Sequence, residues 1–455
     1  MEASASLEEM VGRYEELCWA SEDWYGESGR YRPYVPDSLM ETEFSIDAEA
    51  TALVARATED LTRLDLGAGS LAFSEPLARM LMRSEALASS RIEGMAVPAG
   101  RVLEMEALDG MGVRHRADGV EAAVIANVGA MEGTVSRVGE GDEVTVEMMC
   151  EANRVLLADG PLADRGGAIR GAQNWVGGSD WLPVGASYVP PRPELVAGLL
   201  DDLARFVNSS GLPTVAKAAV AHAQFETIHP FADGNGRTGR ALVQMVLRAD
   251  GLCTHTYAPV SLELATHRGA YIAQLEAFRA DDGITEGATR DLSGLVGFFS
   301  RAAGASCSLA LGFESSVASI ERGWRERLGV RKGSAADLLL GALASCPVVS
   351  ARTASGIIGR SEVACRNALE RLAEAGIVTQ NARNRKSSLW VADEILSEFT
   401  SLERAYATPG GRHEGGEAGR ATPQRRNLDA AQARREARGT PPGRGDECDP
   451  GPRHL

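Results

Sequence analysis

Residues 229–240 read His-Pro-Phe-Ala-Asp-Gly-Asn-Gly-Arg-Thr-Gly-Arg. This stretch combines an imidazole, a carboxylate, a glycine-rich turn and two arginines. Apolar residues at helical spacing follow it, which indicates that the turn opens a helix. Backbone amides at a helix N-terminus favour an anion, and glycine lets that anion approach closely. The stretch therefore predicts a phosphate-binding turn at the start of a helix.

The polar side chains of this stretch suit phosphate chemistry. His229 has a reference pKa near neutrality, which suits a general base. Asp233 offers the oxygen ligand that Mg²⁺ takes when substrate phosphates supply the others. Arg237 and Arg240 lie three residues apart on one side of the helix and can bind phosphate oxygens in pairs. A lone histidine or Gly-x-Gly is usually structural, but this ordered combination favours a catalytic site.

The stretch resembles the signature of the Fic family, His-x-Phe-x-Asp/Glu-Gly-Asn-Gly-Arg-x-x-Arg, and matches it at every fixed position. Residues from about 40 to 290 look like the Fic core with its N-terminal extension. The resemblance implies a protein adenylyltransferase, which moves AMP from ATP to a Ser, Thr or Tyr hydroxyl of a protein. The modified protein is unknown, and self-modification is one option.

The resemblance also implies roles for individual residues. His229 would deprotonate the target hydroxyl, and Asp233 would hold Mg²⁺. Arg240 would contact the γ-phosphate of ATP, and Tyr271 would lie near the adenine. His267 stands where the family often has Asn, so adenine contact at that position is in doubt. The other residues implied to bind the phosphates are Gly234, Asn235, Gly236 and Arg237.

A second carboxylate stands out near the end of a helix expected at about 76–94. Glu93 lies where an anion opposes the helix dipole, so it needs either an opposite cation or full solvation. The stretch resembles the inhibitory motif of Fic proteins, Ser/Thr-x-x-x-Glu-Gly/Asn, with Ser89, Glu93 and Gly94 in place. This resemblance implies that Glu93 pairs with Arg240 and blocks productive binding of the γ-phosphate. A merely solvated Glu93 is the alternative.

Glycine and proline punctuate short apolar runs over residues 167–191, which predicts a small hairpin. It resembles the family's flap, which takes up a target peptide by strand addition. A structural hairpin over the core is the alternative. One further helix is expected over 213–228, with His222 packed in the core, and another over 261–278.

Composition sets bounds on the protein class. The chain has 455 residues, 44% of them hydrophobic, and a net charge of −16. This charge argues against a general polyanion binder, so any nucleic-acid contact must be local. Seven cysteines without a Cys-x-x-Cys pair favour free thiols in a reducing compartment. We find no signal pattern and no run of about 18 apolar residues, so we expect a cytoplasmic protein without a membrane span.

The C-terminal third predicts a winged helix-turn-helix over 333–396. Three helices are expected, over 335–344, 348–358 and 361–375. Such a module can bind DNA through its third helix, but many winged helices bind proteins instead, and several glutamates lie on this third helix. The two strands expected to complete the module are 377–379 and 388–391, around the basic turn Arg383-Asn384-Arg385-Lys386.

Together these features predict a mainly α protein, with a Fic-type helical core, a small β-hairpin flap and a C-terminal winged helix-turn-helix. The expected function is an adenylyltransferase restrained by its own glutamate, with ATP as co-substrate and Mg²⁺ as metal. The alternatives are a transcriptional regulator that binds DNA through 333–396, transfer of another nucleotide, or removal of AMP. A homodimer is compatible with the sequence. The expected domains are an N-terminal extension (1–110), a catalytic domain (111–295), a helical connector (296–332), the winged helix (333–396) and a mostly disordered tail (397–455).

Overall fold

The computed structural model describes residues 13–20, 28–70, 74–112, 119–179, 181–279, 289–381 and 388–404, and it is mainly helical, as predicted. The helices are α1 (Ala48–Ser70), α2 (Ser74–Ile92), α3 (Ala99–Asp109), α4 (Gly119–Gly133), α5 (Val146–Leu157), α6 (Pro193–Ser209), α7 (Thr214–Ile228), α8 (Asn235–Ala249), α9 (Val260–Thr266), α10 (Arg268–Phe278), α11 (Ser293–Leu328), α12 (Ala335–Leu343), α13 (Ala351–Ile358), α14 (Glu362–Glu374) and α15 (Asp393–Arg404). The strands are β1 (Arg13–Tyr14), β2 (Leu17–Ala20), β3 (Ser28–Tyr31), β4 (Tyr34–Val35), β5 (Phe44–Ser45), β6 (Arg290–Asp291), β7 (Val348–Ser350), β8 (Thr379–Asn381) and β9 (Leu389–Val391).

The 36-residue helix α11 runs through the core. It packs along α1 and also contacts α7, α9 and α15. By length and composition alone it could cross a membrane, but 56% of its most apolar window is buried inside the fold. Its apolar character is therefore explained by helix packing. Residues 296–332, expected to form a helical connector, lie mostly within this helix.

The catalytic stretch lies between two buried helices that pack against each other. Every residue of α7 from Val215 to Ile228 is buried, and so is nearly all of α8. Such helices leave little room for the intervening turn to move. The turn over residues 229–234 is therefore held at both ends by the core.

The C-terminal module contains α12, α13 and α14 with a three-stranded antiparallel sheet in the order β7-β9-β8. Residues 348–358 were expected to form one helix, and this was wrong. Val348 and Val349 are buried in strand β7, and Ser350 ends the strand by capping α13 in a capping box with Thr353.

Helix α14 directs several residues to solvent. Val363 is 68% exposed, and Arg366 and Asn367 are also exposed. The basic turn expected at 383–386 lies outside the described residues. DNA binding by this module stays a prediction.

Helix α15 replaces the first part of the expected tail. Residues 397–404 are helical because Phe399 and Leu402 are buried, and Phe399 packs 6.1 Å from the ring of Phe313 on α11. The rest of the expected tail lies beyond the described residues. The last buried side chain, Glu403, accepts hydrogen bonds from Ser84 Oγ (2.7 Å) and Arg91 Nη2 (2.8 Å) on α2. Thus α15 holds the helix that precedes Glu93.

We predict that Glu403→Ala lowers the free energy of unfolding by about 1–3 kcal/mol, because it leaves the hydroxyl of Ser84 and one side of Arg91 without their acceptor. Glu403→Gln keeps an acceptor for Ser84 and should cost less. The exposed neighbour Arg404→Ala is the control and should change stability by less than about 0.5 kcal/mol. Urea denaturation measures all three, and equal losses in Glu403→Ala and Arg404→Ala would contradict the docking described for α15.

Candidate active site

The turn before α8 begins with a left-handed residue. His229 caps the end of α7 with a φ of 49°, and its amide donates to Phe225 O at 2.9 Å. Asn235 then ties the turn together, since its side chain accepts from Phe231 N (2.8 Å) and donates to Phe231 O (2.9 Å). The side chain of Asn235 is thus used to hold the loop. Only its backbone amide is available for an anion hole.

Two glycines open the space at the start of α8. Gly234 has a φ of 78°, and a Cβ there would also lie 2.7 Å from Leu156 Cδ2. A Cβ on Gly236 would lie 2.0 Å from Glu93 Oε1. The amides of the first helical turn have no partner within their own helix and carry the positive end of the helix dipole. The Glu93 carboxylate therefore occupies the position above this turn where an anion is most favourable.

Arg240 is bound by residues at the end of α2. Its guanidinium donates to Ser89 Oγ (2.8 Å), to Ser89 O (2.8 Å) and to Glu93 Oε1 (2.8 Å), and only 2% of its side chain is exposed. Burial opposes both charges, but each stabilises the other. Arg240 holds the pKa of Glu93 below its usual range, and Glu93 raises the pKa of Arg240. The structure thus brings together the three residues that the inhibitory motif and the signature predict.

Glu93 follows the end of α2 in a tight cap. Gly94 adopts a φ of 77°, its amide donates to Arg91 O (2.9 Å), and the Met95 amide donates to Ser90 O (3.0 Å). This Schellman arrangement needs glycine at the left-handed position. It also turns the chain so that the Glu93 side chain reaches Arg240, which offsets the unfavourable helix dipole.

The imidazole of His229 is neutral at physiological pH. Burial lowers its pKa to about 4, with Arg170 and Arg279 contributing as nearby cations. A neutral imidazole has a lone pair available for a proton, which a general base requires. The side chain is only half-buried, so solvent or a substrate can approach it.

Asp233 and Arg237 lie next to the turn. Asp233 Oδ1 accepts from Gly234 N (2.7 Å), and Asp233 Oδ2 lies 3.8 Å from Arg237 Nη2. The described residues contain no cluster of three or more His, Cys, Asp or Glu that could hold a metal alone. Mg²⁺ is commonly held by one or two carboxylates together with water and substrate phosphates. The Asp233 carboxylate, 36% exposed, fits that mode.

The residues expected near the adenine lie on two helices. The prediction of one helix over 261–278 was therefore wrong. The helix breaks at His267, whose ψ of 36° is not helical, and α10 restarts with Arg268 bonded to Ile92 O (3.2 Å). His267 is largely exposed. Tyr271 is buried, and its hydroxyl lies 2.7 Å from His222 Nε2. A contact between Tyr271 and adenine stays a prediction.

His222 lies in the core, as expected from its apolar surroundings. Burial lowers its pKa to about 3, so the ring is neutral. Its partner Tyr271 is stacked 5.8 Å away, and Phe299 of α11 lies 5.5 Å away. His222 therefore serves packing.

Two buried carboxylates near Arg240 were missed from the sequence. Burial raises the pKa of Glu85 and of Glu226 to about 7 each. Glu85 accepts from both Ser261 N (2.8 Å) and Ser261 Oγ (2.6 Å). A glutamate on a helix ordinarily indicates a solvated face, so no local signal could have identified these two.

The flap is a hairpin held by one antiparallel bridge between Val176 and Tyr188. The Tyr188 hydroxyl donates to Thr227 O (2.6 Å), which fixes one arm onto α7. Val176 (41%) and Trp181 (57%) are exposed at its outer part. Apolar side chains beside an incompletely paired strand edge are features of a peptide-binding surface.

The structure is that of a helical protein with a glycine-containing turn at the start of a buried helix. Residues 143–247 match the family model described as Fic/DOC family, and residues 51–133 match the model described as Fic/DOC family N-terminal. Over these residues the chain is similar to the catalytic and N-terminal regions described for the Fic/DOC family.

Several curated relatives are similar to this chain. It is 31% identical over 146 residues to protein adenylyltransferase fic-1 of Caenorhabditis elegans, covering 31% of this chain and 26% of the relative. It is 32% identical over 149 residues to protein adenylyltransferase Fic of Aedes aegypti, covering 32% and 26%. A probable protein adenylyltransferase of Aquifex aeolicus (strain VF5) is 40% identical over 75 residues, covering 16% and 23%. The chain thus spans about a quarter of the length of these relatives.

A crystal structure of a Fic family protein from Desulfovibrio desulfuricans G20 is also similar. Its TM-score is 0.47 and its sequence identity is 20%, and the match covers 77% of this chain and 98% of that chain.

We predict that Gly236→Ala separates Glu93 from Arg240 and lowers the free energy of unfolding, because the buried guanidinium loses its carboxylate partner. The new Cβ would lie 2.0 Å from Glu93 Oε1, the end of a flexible side chain that can turn away. Gly239→Ala is the contrast, because its Cβ would meet Glu226 Oε1 (2.7 Å) and Phe225 Cδ1 (3.0 Å) in the packed core. We expect that change to cost about 1–3 kcal/mol.

A crystal structure of the Gly236→Ala protein measures the separation directly. The distance from Arg240 Nη2 to Glu93 Oε1 is 2.8 Å in the parent. In the variant it should be longer than about 4 Å, the limit for an ion pair. Glu93 remaining bonded to Arg240 in that variant would show that the space above Gly236 is not needed by the carboxylate.

Proposed function

We propose that this chain is a protein adenylyltransferase restrained by Glu93. The observation that carries the proposal is the buried Arg240, bonded to Glu93 above the first turn of α8 and within the same site as a neutral His229. The family match and the names of the similar relatives support the same activity. A site that only sensed nucleotide would not require a base beside the turn.

In this mechanism ATP binds with its phosphates over the start of α8. The amides of Asn235 and Gly236 and the charge of Arg237 stabilise the phosphate oxygens, as preorganised donors do in phosphoryl-transfer sites. Arg240 binds the γ-phosphate once Glu93 has released it. When bound, Mg²⁺ on Asp233 would neutralise part of the phosphate charge.

The transfer step uses His229 as the proton acceptor. The target hydroxyl oxygen forms a bond to the α-phosphorus, and the bond from that phosphorus to the α,β-bridging oxygen breaks. The hydroxyl proton moves to the His229 imidazole, and pyrophosphate leaves with the bonding electrons. The products are a protein–AMP phosphodiester and pyrophosphate.

Restraint follows from competition for one buried cation. The Arg240 guanidinium is almost fully buried, so it needs an anion nearby at all times. Glu93 supplies that anion in the structure, and its negative charge would repel the γ-phosphate. The Glu93 side chain is 38% exposed, so its carboxylate can rotate toward solvent without movement of α2. Exchange of carboxylate for phosphate therefore converts the restrained site into the productive one.

We predict that Glu93→Gly increases self-modification by at least about tenfold, the effect of roughly 1.4 kcal/mol of recovered phosphate binding. Intact-mass analysis of the purified variant after incubation with Mg²⁺ and each nucleoside triphosphate measures this. An added AMP mass from ATP is expected. A different mass increment would identify another transferred group, and a rate equal to that of the parent would remove the assignment of Glu93 as a brake.

In the Glu93→Gly background we predict that His229→Ala lowers transfer by about 10²–10⁴-fold, the range of general-base catalysis. Circular dichroism should show an intact fold, and calorimetry should show retained ATP binding. Because the His229 pKa is about 4, transfer by the parent variant should rise with pH through that value and be flat near neutrality. Retained labelling by α-³²P-ATP without His229 would refute its role as the base.

A further inference from the structure

Arg170 lies near the start of the flap segment and is surrounded by backbone carbonyls. Only 6% of the residue is exposed. Its Nε donates to His229 O (2.9 Å), and its Nη2 donates to Pro191 O (2.5 Å) and Ile228 O (3.3 Å). Its Nη1 donates to Ala172 O (3.2 Å). These contacts join the end of α7 to both ends of the flap.

The segment around Arg170 binds three consecutive carbonyls of the catalytic turn. Besides the guanidinium contact to His229 O, the Arg170 amide donates to Pro230 O (2.9 Å). Asn174 Nδ2 lies 3.1 Å from Phe231 O and 3.3 Å from His229 O. We call residues 170–174 the turn clamp. The turn clamp forms hydrogen bonds to the backbone of the residue that carries the imidazole.

The catalytic turn needs such support because His229 has a left-handed backbone. A φ of 49° is unfavourable for a residue with a Cβ, and such conformations persist where the surroundings fix them. The carbonyls at the end of α7 carry the negative end of its dipole, which favours a cation there. Arg170 supplies both the cation and the matching donors.

The other side of the clamp holds the flap. Ala172 begins one arm of the flap, and Pro191 ends the other. Gln173 Nε2 adds a bond to Pro190 O (2.8 Å). One guanidinium therefore connects the two flap arms with the His229 backbone, so the distance between the flap surface and the imidazole depends on it.

We propose that Arg170 is a positioning residue, which sets the His229 imidazole and the flap in the geometry required for proton removal from a hydroxyl presented at the flap. This inference rests on the proposed function. Arg170 does not contact the reacting atoms in the structure. It acts through the backbone of His229.

The Arg170 charge also acts on the imidazole. Burial is the main reason for the low pKa of His229, and Arg170 is the cation that lowers it most, followed by Arg279. Glu93 and a hydrogen bond that the imidazole donates to the Glu226 backbone carbonyl act in the opposite direction. Replacing Arg170 with a neutral side chain should therefore raise the pKa of His229.

The test uses the full chain in the Glu93→Gly background with Arg170→Gln and Arg170→Lys. Arg170→Gln should lower kcat for self-modification by about 10–100-fold, because small misplacements of a reacting group cost that much, with the KM for ATP changed much less. Its rate should also rise with pH at a higher value than in the parent. Arg170→Lys retains the charge but not the planar fork. It should restore the pH profile without restoring kcat.

Arg248→Gln is the matched control. Arg248 is also buried (9% exposed) and donates to the carbonyls of Val138 (2.9 Å) and Cys253 (3.0 Å), at the far end of α8 from the turn. It should leave the pH profile in place. If Arg248→Gln lowers kcat and shifts the pH profile as Arg170→Gln does, both effects come from general destabilisation of the fold. That result would overturn the positioning role of Arg170.

A second readout does not need activity. In protein with ¹³C-labelled histidine, the His229 resonance, identified by its loss in His229→Ala, should titrate at a higher pH in Arg170→Gln than in the parent. Asn174→Ala, at a half-buried position, supports the test if Arg170→Gln does not fold, and it should lower kcat in the same direction. Unchanged kcat and unchanged titration in these variants overturn the proposal. Absence of any transfer by the Glu93→Gly parent defeats the proposed function instead, while the titration still decides the role of Arg170.

Discussion

A buried guanidinium cannot remain without an anion, and this constraint on Arg240 organises the site. The described structure satisfies it with Glu93, whose carboxylate lies 2.8 Å away, and with the hydroxyl and carbonyl of Ser89. Glu85 and Glu226 also influence this cation, but burial raises their pKa values to about 7, so they are poor substitutes for a fully ionised partner. Under the proposed function, the same cation would be paired either with a carboxylate of its own chain or with a phosphate.

The rest of the fold determines how readily the two occupants exchange. Helix α2, which leads to Glu93, is held at its end by the Gly94 cap and by Arg268 bonded to Ile92 O. On its other side, Arg91 is paired with Glu403 of α15 (2.8 Å). The helix is thus fixed between the catalytic core and the C-terminal module. The Glu93 side chain is 38% exposed, so under the proposed function its rotation alone would release the restraint.

The local chemistry of the site could be read from the sequence, because glycines, a capping residue and charges at fixed spacing act within one turn of the chain. The order of residues 229–240 was enough to predict a glycine-rich turn that opens a helix, whereas the pair between Glu93 and Arg240 was implied by the resemblance to the inhibitory motif of the Fic family. Contacts between residues far apart in the sequence could not be predicted in this way. Glu85 and Glu226 resemble surface glutamates, and nothing near Arg170 indicates that its partners are carbonyls of residues some 20 to 60 positions away.

The errors in secondary structure have the same origin. Residues 348–350 pair with β9, a contact that local propensity does not contain. The break at His267 depends on how α10 meets the end of α2. Residues 397–404 became helical because α11 offers an apolar surface to Phe399. Tertiary packing overrides weak local preferences at each of these places.

The most direct test of the account is a crystal structure of the Glu93→Gly protein with ATP and Mg²⁺. The account predicts γ-phosphate oxygens within about 3 Å of the Arg240 guanidinium, with the α-phosphorus on the side of the His229 imidazole. A triphosphate bound away from the start of α8, with Arg240 still bonded only to Ser89, would contradict it.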